Sequence, residues 1–256
     1  MNAGVLVTRP LQDAAPLATL LESRGLKVFI NTLLEIRFFP DPLIDVRGVQ
    51  AVVVTSANGV RALARLQDFP RSLPLYGTGD ATAAEATRAG FVEVYSAQGD
   101  VQALAVLIRT SCRPDAGDLL HAAGVHTAGD LAAMLAPDGF VVRKATLYEA
   151  VPVQHLLPET VDAFRQGQIG CALFMSVRTA QAFVDCAIRD GIAEYCASAE
   201  ALCLSPAVAA ALDGLSWKAV RAAERPTLED LLAIISHTLS SPPPPCGGPD
   251  PRIKRG

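Results

Sequence analysis

Residues 51–62 read AVVVTSANGVRA, and the organisation of the whole chain follows from them. Ala51, Val52, Val53 and Val54 form an unbroken apolar run rich in β-branched side chains, which predicts a strand buried on both faces. Thr55-Ser56-Ala57-Asn58-Gly59 then turns straight into a helix. A turn of this kind lies at the carboxyl end of a parallel strand, where open α/β sheets bind ligands. Residues 171–183, CALFMSVRTAQAF, repeat the design with an apolar strand, a small hydroxylic turn and an alanine-rich helix. Two such units predict two similar, doubly wound parallel-sheet domains of the flavodoxin or Rossmann type.

Upstream of this motif, residues 4–10 read as a short strand stopped by Pro10, which cannot continue a ladder. Ala14, Leu17, Leu20 and Leu21 then share one helical face, Gly25 ends that helix, and residues 26–30 form a second strand. This β-α-β order implies a right-handed crossover and a parallel sheet. Residues 34–39, LEIRFF, run into Pro40-Asp41-Pro42 and read as an extended crossing segment.

Beyond the opening motif, residues 73–76 form a strand. Gly77-Thr78-Gly79-Asp80 leads into a helix over 81–89, with Asp80 the expected cap, and residues 91–95 form the next strand. Asp100 is the expected N-cap of a helix through Ile108. A strand over 118–121 ends at Ala122-Ala123-Gly124, Thr127-x-x-Asp130 resembles a capping box, and residues 140–143 form a strand. Residues 145–153, ATLYEAVPV, alternate and carry Pro152, so they read as a return crossing that pairs with 34–39 in a two-stranded ladder.

A helix over 159–165, the second strand-turn-helix, a strand over 201–204 with the turn Ser205-Pro206, and a strand over 217–221 complete the second half. Pro226-Thr227 opens a helix lined by Leu228, Leu231, Leu232 and Ile235. The expected domains are a terminal one from 1–33 plus 154–240 and a central one from 40–146. Segments 34–39 and 147–153 connect them. The proline- and glycine-rich segment 241–256 has no apolar periodicity and is expected to be a disordered tail.

Composition narrows the function classes. Of 256 residues 50% are hydrophobic and 19% charged, which is too apolar for a disordered protein and sufficient for two cores. A net charge of -4 argues against nucleic acid and anionic membranes as partners. No apolar run approaches the ~18 residues of a membrane span and no secretory signal opens the sequence, so a cytoplasmic protein is expected. The six cysteines show no Cys-x-x-Cys pair, and Cys171 and Cys203 fall in buried strands. His121 and His126 are the nearest pair of scattered histidines, so no metal centre is expected. Gly77-x-Gly79 lacks the third glycine of a dinucleotide fingerprint.

VLVTRP near the start, VVVTSANGVRAL, YGTGDATAAEATRAGF, the LYEA crossing and LSPAVAAAL occur in an order that resembles the uroporphyrinogen-III synthase family from Val5 to Leu239. The resemblance implies two α/β domains joined by a two-stranded ladder, with the active site in the cleft between them. It implies a hydro-lyase of heme and other tetrapyrrole biosynthesis that closes hydroxymethylbilane to uroporphyrinogen III. The terminal pyrrole is inverted and water is lost, by a route through a spiro-pyrrolenine. It further implies a monomer with no metal and no organic cofactor. A two-lobed small-molecule binding protein without catalysis is the competing reading.

The substrate of that family carries many carboxylates and a hydroxyl whose departure leaves a resonance-stabilised cation, so its site needs shape and anion donors more than acid strength. Backbone N–H groups in the turns after Thr55, Gly79 and Ser205 stand at helix N-termini, where carboxylates are favoured without lysine. The resemblance assigns Tyr148, on the return crossing, to hydrogen-bond the departing group, and it matches Thr82 to a hydroxylic family position. Arg9, Ser56, Asn58, Gly79, Thr82, Gly124, Ser176 and Ser205 form the expected substrate-binding set. Each has an ordinary role as well. Ser56, Ser176 and Ser205 are candidate N-caps worth ~1 kcal/mol each, Asn58 and Thr82 suit a first helical turn, and Arg9 can pair with a surface acid. Met175-Ser176 and Val208 depart from the family pattern, in which threonine is common at the first and last of these positions.

Overall fold

A computed structural model describes residues 4–127 and 129–240, with side chains through residue 235. The expected tail, 241–256, lies outside the described residues. Two units divide the chain: one comprises residues through Leu33 and those from Val153 onward, the other Leu34–Pro152.

The terminal unit opens with β1, Gly4–Val7, every residue of which is buried. Helix α1, Leu11–Ser23, buries Ala14, Leu17, Ala18 and Leu21, a stripe at helical spacing. Gly25 at φ +78° then reverses the chain into β2, Val28–Ile30.

The central unit is built from β3 (Leu34–Phe38), β4 (Val49–Val54), β5 (Leu75–Gly77), β6 (Val94–Ser96), β7 (Asp118–Gly124) and β8 (Val142–Pro152). Helices α2 (Ala57–Ala64), α3 (Asp80–Arg88), α4 (Val101–Ser111) and α5 (Leu131–Leu135) cover its sheet. The strand order is β3-β8-β7-β4-β5-β6, parallel except where β3 runs antiparallel to β8. Val52 and Val54 pack with Val60 and Leu63 of α2, while Ala51 and Val53 pack with Leu104 and Ile108 of α4. The valine run is therefore buried on both faces.

Three local expectations need correction. The strands expected over 140–143 and 145–153 are not separate: residues 142–152 form the single eleven-residue β8. Its first half bonds β7 in parallel and its second half bonds β3, from Leu34↔Pro152 to Phe38↔Tyr148, so the ladder is continuous with the central sheet. Asp80 does not cap α3: Gly79 holds the cap position at φ −143°, and the Asp80 carboxylate instead accepts from Ser96 Oγ at 2.7 Å. No Thr127 capping box forms either, because Asp130 is itself the cap of α5, accepting from Ala133 N at 3.0 Å. A β-region residue just before the helix offers its side chain to the first-turn amides better than one three positions upstream.

The chain returns through α6 (Pro158–Arg165), β9 (Ile169–Phe174), α7 (Val177–Arg189), β10 (Glu200–Cys203), α8 (Pro206–Ala210), β11 (Ala219–Ala222) and α9 (Leu228–Ser240). All pairings in the terminal sheet, β11-β10-β9-β1-β2, are parallel. On one face Leu6, Phe164, Phe174 and Phe183 share a core, with the Phe174 and Phe183 rings edge-on at 5.2 Å. On the other, Val5, Val7 and Leu173 meet Leu17 and Leu21 of α1 and Leu231 and Ile235 of α9. Cys171, Cys196 and Cys203 are buried here, and burial pushes each thiol up to about 12, so they serve as small hydrophobes. Among the described residues no helix is long and apolar enough to cross a membrane.

Candidate active site

In the central unit, parallel strands bring the turns after β4, β5 and β7 to one edge of the sheet, and six of the expected residues gather there. Ser56 caps α2 by accepting from Asn58 N at 3.2 Å. A Cβ on Gly59 would lie 2.5 Å from the Ala122 carbonyl oxygen, so glycine lets the start of α2 sit directly on the end of β7. Asn58 is 8% exposed, and its Oδ1 accepts from Arg61 Nη1 at 2.8 Å.

The start of α3 differs from the start of α2. Gly79 has no side chain with which to cap, and Thr82 N and Ala83 N both donate to Gly79 O at 3.0 Å. The N–H groups of Asp80 and Ala81 thus have no partner among the described residues. A Cβ at Gly79 would meet only Gly99 O, at 3.9 Å. Unpaired amides at the positive end of a helix dipole favour negative charge. Thr82 is buried, and its methyl stands 3.2 Å from where a Cβ of Gly77 would be, which makes Thr82 a packing residue beneath the turn.

Tyr148 reaches this edge through an irregularity. Ala123 pairs with Thr146 but Gly124 pairs with Tyr148, leaving Leu147 as an extra residue in β8. Such a bulge reverses the alternation of side chains beyond it. Leu147 and Tyr148, though consecutive, therefore both enter the cluster formed with Val60 and Leu63 of α2. The ring of Tyr148 lies over Gly124, where a Cβ would meet its Cε2 at 2.8 Å and Cζ at 2.9 Å, and it packs on Phe38 at 6.3 Å. Only 7% of the residue is exposed.

Arg9, Ser176 and Ser205 occupy the corresponding edge of the terminal unit. Thr8, fully buried, donates to Leu173 O at 2.6 Å and ties the end of β1 to β9, which leaves Arg9 just beyond the sheet, 3.3 Å from Asp13. Ser176 caps α7 by accepting from Thr179 N at 3.1 Å, with Thr179 Oγ1 2.7 Å from its Oγ. Ser205 caps α8 by accepting from Val208 N at 3.4 Å. The three serines are thus caps by geometry, and each presents its helix start at a carboxyl edge.

Sequence reading passed over two partly buried residues beside Asn58. Arg61 and Glu85 pair across α2 and α3 at 3.3 Å with side chains 12% and 14% exposed. The available signal was the three-residue spacing of Asn58 and Arg61, which places them on one helical face. It passed over the bulge at Leu147 as well, for which a single strand carries no mark. His121 in β7 is buried, and burial, helped by Lys144, pushes its imidazole down to about 4, so it stays neutral. Among the described residues no three His, Cys, Asp or Glu are grouped to hold a metal ion.

Residues 15–233 match the family described as uroporphyrinogen-III synthase HemD. Comparison with curated protein sequences gives no match. Among solved structures, the uroporphyrinogen-III synthetase of Helicobacter pylori 26695 is 17% identical, with 92% of this chain and 99% of that one covered and a TM-score of 0.61. A mutant uroporphyrinogen III synthase of Thermus thermophilus is 18% identical, with 93% and 99% covered and a TM-score of 0.53. At these identities the solved structures bear on the fold, whereas the family match spans most of the sequence. The chain belongs to the uroporphyrinogen-III synthase family, enzymes of heme biosynthesis.

Proposed function

We propose that this chain closes hydroxymethylbilane to uroporphyrinogen III as a hydro-lyase, acting as a cytoplasmic monomer without metal or organic cofactor. The observation that carries the site assignment is the bulge at Leu147, which turns the Tyr148 ring over Gly124 at the same sheet edge as the uncapped start of α3. The substrate hydroxyl takes up a proton from solvent and leaves as water, the pyrrole nitrogen lone pair driving that bond to break and giving an azafulvene cation; a proton returns to solvent when the closed ring regains its aromatic pyrrole. The substituted carbon of the terminal ring attacks the cation to give the spiro-pyrrolenine, from which inversion and closure follow. Tyr148 donates a hydrogen bond to the departing oxygen. The amides of Asp80 and Ala81, with the helix starts capped by Ser56, Ser176 and Ser205, hold carboxylates, and Arg9 supplies a cation for another.

Inversion is a choice between two closures, and closure without inversion happens unaided. Preferring one transition state by about 100-fold requires about 2.7 kcal/mol, within reach of a few oriented N–H groups. The test is the isomer formed: fresh hydroxymethylbilane with the protein should yield mainly type III uroporphyrinogen, and buffer alone type I. After oxidation the isomers separate by chromatography. A mixture identical to that of buffer would mean that the chain is not the synthase.

A further inference from the structure

We infer that Arg61, held by Glu85, is a positioning residue that turns the Asn58 side chain into an obligate hydrogen-bond donor for a substrate carboxylate. This rests on the reaction proposed above and adds to it a specificity determinant outside the expected set. Arginine has only donors, so the Asn58 oxygen must be the atom that faces it at 2.8 Å. The amide nitrogen is consequently aimed away from Arg61, and among the described residues the bond from Arg61 is the one hydrogen bond of the Asn58 side chain. Two N–H bonds of Asn58 are left to offer at the start of α2, beside the helix dipole.

Arg61 is held in place from the other side. Its Nε lies 3.3 Å from Glu85 Oε1 and its Nη2 3.4 Å from Glu85 Oε2, while Arg88 Nη2 meets Oε2 at 2.7 Å. A planar guanidinium spans Asn58 and Glu85 at once, which an ammonium on a flexible stem does not. Arg61 shares Glu85 with Arg88, and its bond to Oδ1 places it to act on a carboxylate through the Asn58 amide. Without Arg61 the Asn58 amide is free to turn its oxygen outward, toward a like partial charge on the substrate.

The test uses the full chain, steady-state kinetics with hydroxymethylbilane, and the side-chain amide resonances of Asn58. Asn58→Ala and Arg61→Met should each raise KM about tenfold with kcat changed by less than about threefold, the loss of one hydrogen bond to a charged group. The double variant should be no worse than either alone, because both remove the same contact. Arg61→Lys should recover part of the loss, since an ammonium also donates to Oδ1. In the ligand-free protein, Arg61→Met should shift the Asn58 amide pair. A double variant whose KM rise is the product of the single effects overturns the inference, as does wild-type KM in Arg61→Met. An amide pair unmoved by Arg61→Met overturns the contact itself, independently of activity. If Arg61→Met does not fold, Glu85→Gln takes its place in the cycle with the same expectation. A wild-type chain that forms no type III isomer removes the reaction, and this inference with it, even where the amide shift is as expected.

Discussion

Replacing Gly124 by alanine tests the placement of the Tyr148 phenol. The new methyl would stand 2.8 Å from Cε2, 2.9 Å from Cζ and 3.3 Å from the hydroxyl oxygen. Carbon atoms rest about 3.5–4.0 Å apart, so the ring must retreat by roughly 0.7 Å or more. With Phe38 packed on the ring and 7% of Tyr148 exposed, that retreat displaces the hydroxyl instead of merely tilting the ring into solvent. Overpacking of this kind costs about 1–3 kcal/mol of stability. A misplacement near 1 Å at the reacting group costs up to about 10²-fold in rate. The expected result for Gly124→Ala is a kcat lowered about 10- to 100-fold in a protein that remains folded, read as the initial rate of type III formation alongside near-ultraviolet circular dichroism. Tyr148→Phe keeps the ring and removes only the hydroxyl. It should slow turnover by less than the 10²- to 10⁴-fold typical of a general acid, because the leaving group already has electronic help from its pyrrole. In the Tyr148→Phe background, Gly124→Ala should cost little further activity. Wild-type kcat in a folded Gly124→Ala variant with a perturbed Tyr148 signal would refute the catalytic placement of this phenol.

Two further outcomes follow from close packing and burial in the same unit. Gly59→Ala would put a methyl 2.5 Å from the backbone oxygen of Ala122, and even after the gain of about 1 kcal/mol in helix propensity it should lose about 1–2 kcal/mol, measured as a lower urea midpoint; an unchanged midpoint would show that α2 slides freely on β7. His121, whose pKa falls from 6.5 to about 4 on folding through burial, takes up its proton more readily in the unfolded chain. Its contribution, up to about 3 kcal/mol, is present above pH 6.5 and lost as pH falls toward 4. His121→Leu should flatten the pH dependence of stability across that window, and identical slopes in the two proteins would contradict the burial argument.

Where local rules and the fold agreed, the sequence was readable. The valine run 52–54, the glycine at 25 and the Asp100 cap are each decided by a few adjacent residues, and each stands as expected. Failures came where a distant strand had the last word. The break expected between 143 and 145 vanishes because β7 and β3 offer hydrogen bonds on either side of one continuous strand. The same holds for the candidate site. Ser56, Ser176 and Ser205 were visible as caps, whereas the pairing of Arg61 with Glu85 depends on how α2 and α3 pack and is written in neither helix alone.

The parallel pairing of β1 with β9 sets an order of events during synthesis. Val5, Leu6 and Val7 find their partners Cys171, Ala172 and Leu173 only after the intervening chain, including all of Leu34–Pro152, has been made. At 5–20 residues per second that interval is roughly 10–30 s. The central unit is contiguous in sequence and can close its sheet in that time, whereas β1 has only the three-residue β2 beside it. An apolar strand with an open edge then waits for its neighbour, which makes the first 30 or so residues the segment most in need of protection from aggregation while the chain is still growing.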